Sequence, residues 1–171
     1  MKLEIMMWVE ALESGDITEP VWTDWAEKQT GDVGQPQLWL KVLCHAPDTS
    51  TALSVLYSTY LHDSELAPYD DRASASLGFL YLRYLRGELQ LATLLLRAGG
   101  EADGYNYDHP SCEEIYALLN QLEAAIAQVQ NIESYVQEAT VMFDRHRDFV
   151  EIWLASVGYS KPILGVVGQP Y

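Results

Sequence analysis

The sequence predicts an all-α fold, a multi-helix bundle of about seven helices arranged with helical hairpins. Three observations carry that reading. Apolar residues recur three and four positions apart along most of the 171 residues, and outside the tail nothing alternates at period two over a useful length. The joins between apolar runs hold Gly or Pro, which stop helices, followed by Ser, Thr or Asp, which start them. The stretch 111–157 contains neither glycine nor proline and repeats an apolar residue at every seventh position.

The first run, residues 3–14, carries Leu3, Ile5, Met6, Met7, Trp8, Val9, Ala11 and Leu12 and stops at Gly15-Asp16, a glycine just past a helix end. Thr18 then serves as N-cap of a second helix with Pro20 in its first turn, and Ile17 and Trp22 hold the two positions of a hydrophobic staple. Val21, Trp22, Trp25 and Ala26 form its apolar side as far as Gly31. After a connector, Leu38, Trp39, Val42 and Leu43 mark a third helix ended by Pro47. Asp48-Thr49-Ser50 caps a fourth, with Leu53, Leu56, Tyr57, Tyr60 and Leu61 along one side. Residues 62–71 read as a loop. Asp70 or Asp71 opens a fifth helix through Leu77, Leu80, Tyr81, Tyr84 and Leu85 to Gly87. A sixth, residues 88–98, carries Leu89, Leu91, Leu94, Leu95 and Leu96 and ends at Gly99-Gly100. The loop 101–110 leads to Ser111-Cys112-Glu113-Glu114, a capping-box sequence.

Residues 87–103 resemble the second helix and following turn of an ankyrin repeat. Gly87 and Leu89 stand where that family opens its second helix, Leu95 and Leu96 fall on its Leu-Leu pair, and Gly99 falls on its helix-ending glycine. Asp103 takes the place of the usual Asn or Asp, and Leu80 and Leu82 fit the first helix. Arg83 replaces a small residue, the Thr-Pro-Leu-His turn is absent, and no second copy follows at the 33-residue offset of that family. A lone repeat cannot bury its own faces, so the segment reads as an ordinary helical hairpin.

The C-terminal third reads as one long or bent heptad-patterned helix. Taking Ile115 as position a, the same position recurs at Leu122, Val129, Val136, Phe143, Val150 and Val157, all apolar. The d positions are Leu118, Ala125, Ile132, Ala139, His146 and Trp153, with His146 the polar exception, read as a core histidine. A period near 3.5 means a narrow buried seam. A continuous helix would span roughly 65–70 Å, against about 40 Å for a compact chain of this length. The helix therefore breaks or bends around residues 131–134, or projects to pair with another copy, or has the other helices laid along it. Leu119 and Ile126 widen the stripe in the first half only, which favours the break or bend.

Length fits one all-α domain over 1–157 followed by a tail, 158–171, that docks on the bundle or stays flexible. A net charge of −15 argues against direct binding of nucleic acid or an anionic membrane, both of which need Lys and Arg. No apolar run approaches the roughly 20 residues of a membrane span. Cys44 and Cys112 make no disulfide framework and the start carries no secretory pattern, so a cytoplasmic location is expected. The charge is uneven: residues 72–98 carry four arginines against Glu88, whereas residues 99–144 carry nine acids and no base.

Motifs for chemistry are missing. There is no P-loop, no nucleotide-binding glycine signature, no nucleophile elbow and no His-Glu-x-x-His. The twelve residues from Asp103 to Glu114 fail as a calcium loop, since Tyr105 and Tyr107 occupy ligand positions and Asp108 stands where glycine is required. A looser metal site could draw on Asp103, Asp108, His109 and Glu113, but a turn with packed tyrosines is the preferred reading. No catalytic residue, metal or cofactor is assigned, and the chain is read as not an enzyme.

Surface then carries the function. Tyrosines beside acids give contact area together with electrostatic steering, which suits a basic protein partner. Two clusters fit: Tyr69, Asp70 and Asp71 before the fifth helix, and Tyr105, Tyr107, Asp108 and His109 after the sixth. The expected function is non-catalytic binding of a basic protein, in the manner of immunity-type or inhibitor proteins. The alternatives are a self-associating scaffold, a homodimer through the 115–157 helix, an acidic mimic of nucleic acid, and an uncharacterised enzyme.

Overall fold

The computed structural model describes residues 2–17, 20–32, 37–62, 69–105 and 110–159, and these form eight helices and no strand. In chain order they are α1 (Lys2–Glu13), α2 (Val21–Asp32), α3 (Leu38–Cys44), α4 (Thr49–His62), α5 (Tyr69–Leu85), α6 (Leu91–Tyr105), α7 (Cys112–Ala127) and α8 (Glu133–Ser156). The fold is all-α, with helices packed against helices. The eighth helix arises because the C-terminal run is two helices. Thr18, the expected cap of α2, and the tail from residue 160 lie outside the described residues.

The described residues fall into two compact units. The first comprises α1 to α4 with the chain from Trp153 to the end of α8 and just beyond. Its centre is α1, in which every residue from position 5 to position 9 is buried. A helix apolar on all sides must be enclosed on all sides, and α4 packs against it while α3 packs against both α2 and α4. Trp8 is fully buried, its ring 5.4 Å from Trp25 and edge-on to Trp153 at 5.2 Å; Trp25 in turn lies 6.3 Å from Trp39. Tilted and edge-to-face aromatic pairs of this kind add to the area they bury. Asp48 caps α4 as its spacing predicts, accepting the Thr51 N–H at 2.7 Å. That bond holds the Asp48 carboxyl below the usual carboxylate range.

The second unit comprises α5, α6, α7 and α8 as far as Ile152. Its core unites Leu77 and Tyr81 of α5, Leu94, Leu95 and Ala98 of α6, Ile115, Leu118 and Leu122 of α7, and Ala139 and Phe143 of α8. The Tyr81 ring lies 5.6 Å from Phe143 and its hydroxyl donates to Thr140 Oγ1 at 3.2 Å. Two glycines allow close helix approach. A Cβ on Gly78 would sit 2.3 Å from the His146 carbonyl oxygen of α8, and one on Gly99 would sit 2.6 Å from the Tyr116 ring of α7.

That contact explains one departure from expectation. Gly99-Gly100 does not end α6, which runs on to Tyr105. The buried stripe of Leu91, Leu94, Leu95 and Ala98 continues to Ala102, and Gly99 is the point on it where α7 comes closest. Gly87 does end α5, at φ 75°, with Glu88 N–H bonded to the Arg83 carbonyl and Gly87 N–H to that of Tyr84.

The C-terminal run breaks slightly earlier than residues 131–134. Gln128 caps α7, and α8 resumes at Glu133. Positions of the seam are buried on both sides of the break, among them Ile115, Leu122, Ile132, Ala139, Phe143, His146 and Val150, whereas Val129 is 93% exposed. The expected capping box opens α7: Ser111 Oγ accepts the Glu114 N–H, and the Glu114 carboxylate accepts the Ser111 N–H at 2.8 Å.

Candidate partner-binding face

Charge separates into paired and unpaired sets along the second unit. Three of its arginines are engaged close to home. Arg86 and Arg83 reach Glu88 at 2.6 and 3.3 Å. Desolvation works against the charged form of Glu88, but the two arginines outweigh it and hold the carboxyl below its ordinary range. Arg147 contacts Asp144 at 2.8 Å, Asp148 at 2.7 Å and Glu151 at 3.7 Å. Its hydrogen bond to Asp148 raises the guanidinium above an already high value.

The acids of α6, α7 and early α8 are different. Asp103, Glu113, Glu114, Glu123, Glu133 and Glu138 are all exposed. None of the six makes an ion pair with a base among the described residues. Glu113 is held below the usual carboxylate range by its own backbone N–H at the head of α7 and by the Cys112 thiol, so its charge is secure at neutral pH.

Two of these acids, Glu114 and Glu138, line a groove of about 470 Å³ between α7 and α8. Helical spacing builds both walls: Glu114, Ala117, Leu118 and Gln121 follow one another along α7, and Glu138, Val141, Met142 and Arg145 along α8, with Pro110 completing the lining. Leu118 is buried and Met142 half-buried, Val141 is 82% exposed, and Glu114 and Glu138 supply one carboxylate from each wall. An apolar strip edged by unpaired carboxylates suits a partner that offers apolar side chains flanked by Lys or Arg.

The residues singled out from sequence are placed in part. Tyr69, Asp70 and Asp71 form the first turn of α5 instead of a loop, and Tyr105 is the last residue of α6. Asp71 is half-buried; the side chains of Tyr69, Asp70 and Tyr105, and the whole of Tyr107, Asp108 and His109, lie outside the described residues. The short turn at Gly87 makes α5 and α6 a hairpin, which brings the start of α5 and the end of α6 to its far end. The head of α7 is there too, where the Cys112 thiol lies 3.8 Å from Asp103 Oδ1.

The groove itself escaped sequence reading. Val141 was its signal, an apolar residue at an outward position of the heptad frame. Neither cysteine is poised as a nucleophile: burial pushes both thiols up, reinforced by Glu27 beside Cys44 and by Glu113 and Asp103 beside Cys112. His146 is buried on the seam and accepts a hydrogen bond from Arg145 Nε at 3.2 Å. Among the described residues no three His, Cys, Asp or Glu side chains group as metal ligands, and no helix is long and apolar enough to cross a membrane. No protein-family model, curated protein or solved structure matches this chain.

Proposed function

We propose that this protein is a non-catalytic binding domain that captures a basic protein, in the manner of immunity-type inhibitors, through the face made by α7, early α8 and the neighbouring end of the α5–α6 hairpin. One observation carries the reading: α6, α7 and early α8 expose six carboxylates that make no ion pair with a base among the described residues, and two of them, Glu114 and Glu138, line the groove between α7 and α8. Long-range attraction from such a face speeds encounter, while the apolar strip and the tyrosines at positions 69, 105 and 107 provide the contact that slows release. Asp70, Asp71, Asp108 and His109 belong to the proposed partner-binding set by their place in the sequence beside these tyrosines.

The test is affinity capture from the native cell, with two variants alongside the wild type. One carries Glu113→Gln, Glu123→Gln, Glu133→Gln and Glu138→Gln; the other changes Tyr105, Tyr107 and Asp108 to alanine. The expected partner is a basic protein bound at defined stoichiometry. The carboxamide variant slows its association, and the alanine variant weakens binding by several kcal/mol, about the range of interface hot spots. Unchanged affinity in both variants would overturn the assignment.

A further inference from the structure

We infer that the elbow at Val129 is a hinge through which two copies of this chain exchange C-terminal helices, with α7 and α8 running through as one helix in each copy. The inference is independent of the carboxylates discussed above.

The backbone of the elbow is the starting point. Gln130 N–H bonds to the Ala125 carbonyl at 2.9 Å and Val129 N–H to the Ile126 carbonyl at 3.0 Å. This is the helix-ending pattern that requires a left-handed residue in its middle, normally glycine. The same pattern closes α5 with Gly87 and α8 with Gly158, at φ 75° and 79°. At the elbow the position is Val129, at φ 57°, the one non-glycine residue with positive φ among those described. A β-branched side chain is poorly suited to that conformation. With 93% of its surface exposed, Val129 gains nothing from packing that would offset the strain.

The sequence around it fits the opposite state. Nothing from residue 111 to residue 157 is glycine or proline, and Val129 falls on the apolar seven-residue repeat between Leu122 and Val136. A helix that reads through returns Val129 to right-handed backbone. It also joins Leu122, Ile126, Val129, Ile132 and Val136 into one stripe, of which Ile126 and Val129 are now exposed.

The partner is a second copy because of what straightening removes. In the folded-back form α8 closes on α5, with Phe143 against Tyr81, Thr140 on the Tyr81 hydroxyl, and the His146 backbone against Gly78. A straightened chain draws α8 away from its own α5, and only an identical α5 reproduces those contacts. A short strained hinge favours such an exchange. The two read-through helices then cross at their Val129 residues and cover Ile126 and Val129.

The experiment refolds the full chain at high concentration from denaturant and measures mass by light scattering after size exclusion. A second sample carries spin labels at Ala117→Cys and Val141→Cys, with Cys44→Ser and Cys112→Ser, diluted into excess unlabelled protein so that only intramolecular distances are read. The expected result is a dimer with a labelled distance of about 36 Å, the length of 24 helical residues, in place of the short distance across the groove. Val129→Gly, which suits the elbow and disfavours the helix, raises the dimer dissociation constant at least about a hundredfold. Val129→Ala, which keeps the left-handed cost and favours the helix, leaves the dimer or strengthens it. The inference is overturned if wild type and Val129→Ala both stay monomeric, if a dimer keeps the short intramolecular distance, or if Val129→Gly dimerises as readily as wild type.

Discussion

The two compact units bury their helices by different means. The first relies on bulk: α1 is enclosed on all sides, and Trp8, Trp22 and Trp25 fill the space around it. The second relies on closeness: its helices keep one buried stripe each, and Gly78 and Gly99 bring neighbouring backbones and rings within reach. Bulk tolerates little removal, and closeness tolerates little addition. The second unit therefore leaves the outward sides of α7 and α8 to solvent, where unpaired acids and the groove lie.

Removing bulk gives the largest expected effect. Trp8→Ala costs about 3–5 kcal/mol, as large-to-small core changes do, read as a fall in the urea midpoint with loss of near-ultraviolet aromatic signal. A cost under about 1 kcal/mol would mean that the first unit closes over the cavity and is not built on that ring. Adding bulk to the second unit comes next, and the sign depends on position. Gly78→Ala drives a methyl into the His146 carbonyl and destabilises by about 1–3 kcal/mol. Gly100→Ala, one residue beyond the Gly99 contact with nothing within 4 Å, stabilises α6 by up to about 1 kcal/mol. Equal effects from the two in thermal melts would erase the contrast. The smallest effect is electrostatic. The Glu88 carboxyl is lowered in the folded state, so its contribution is present above the unfolded pKa and disappears as pH falls through the folded value. Glu88 is more than a third exposed, which limits the difference between wild type and Glu88→Gln to about half a kcal/mol at pH 7. That difference should shrink in urea titrations as the pH is lowered through the carboxylate range.

Local signals were legible wherever one residue decides a local geometry. The Ser111 box, the Asp48 cap, the stop before Pro47 and the glycine at 87 all read through to the structure, because each works within a turn of helix. Gly99-Gly100 misled because a glycine signals a helix end and a close contact with the same letter, and only the position of Tyr116 separates them. The break at 128–132 was expected in kind but slightly late, since no propensity places a valine in left-handed backbone. The candidate site was half legible. Its acidity could be counted, but the groove depends on α7 and α8 folding back on each other, which a repeat continuing straight through the elbow conceals.

The central claim is that the unpaired carboxylates of α7 and early α8 form a recognition surface. Calorimetric titration of the captured partner at low and high salt tests it most directly, with the four-glutamine variant beside the wild type and melting temperatures recorded for both. The account predicts wild-type affinity that falls steeply with salt and a much flatter dependence in the variant, with both proteins still melting as folded domains. Equal affinities with equal salt dependence in the two proteins would contradict it.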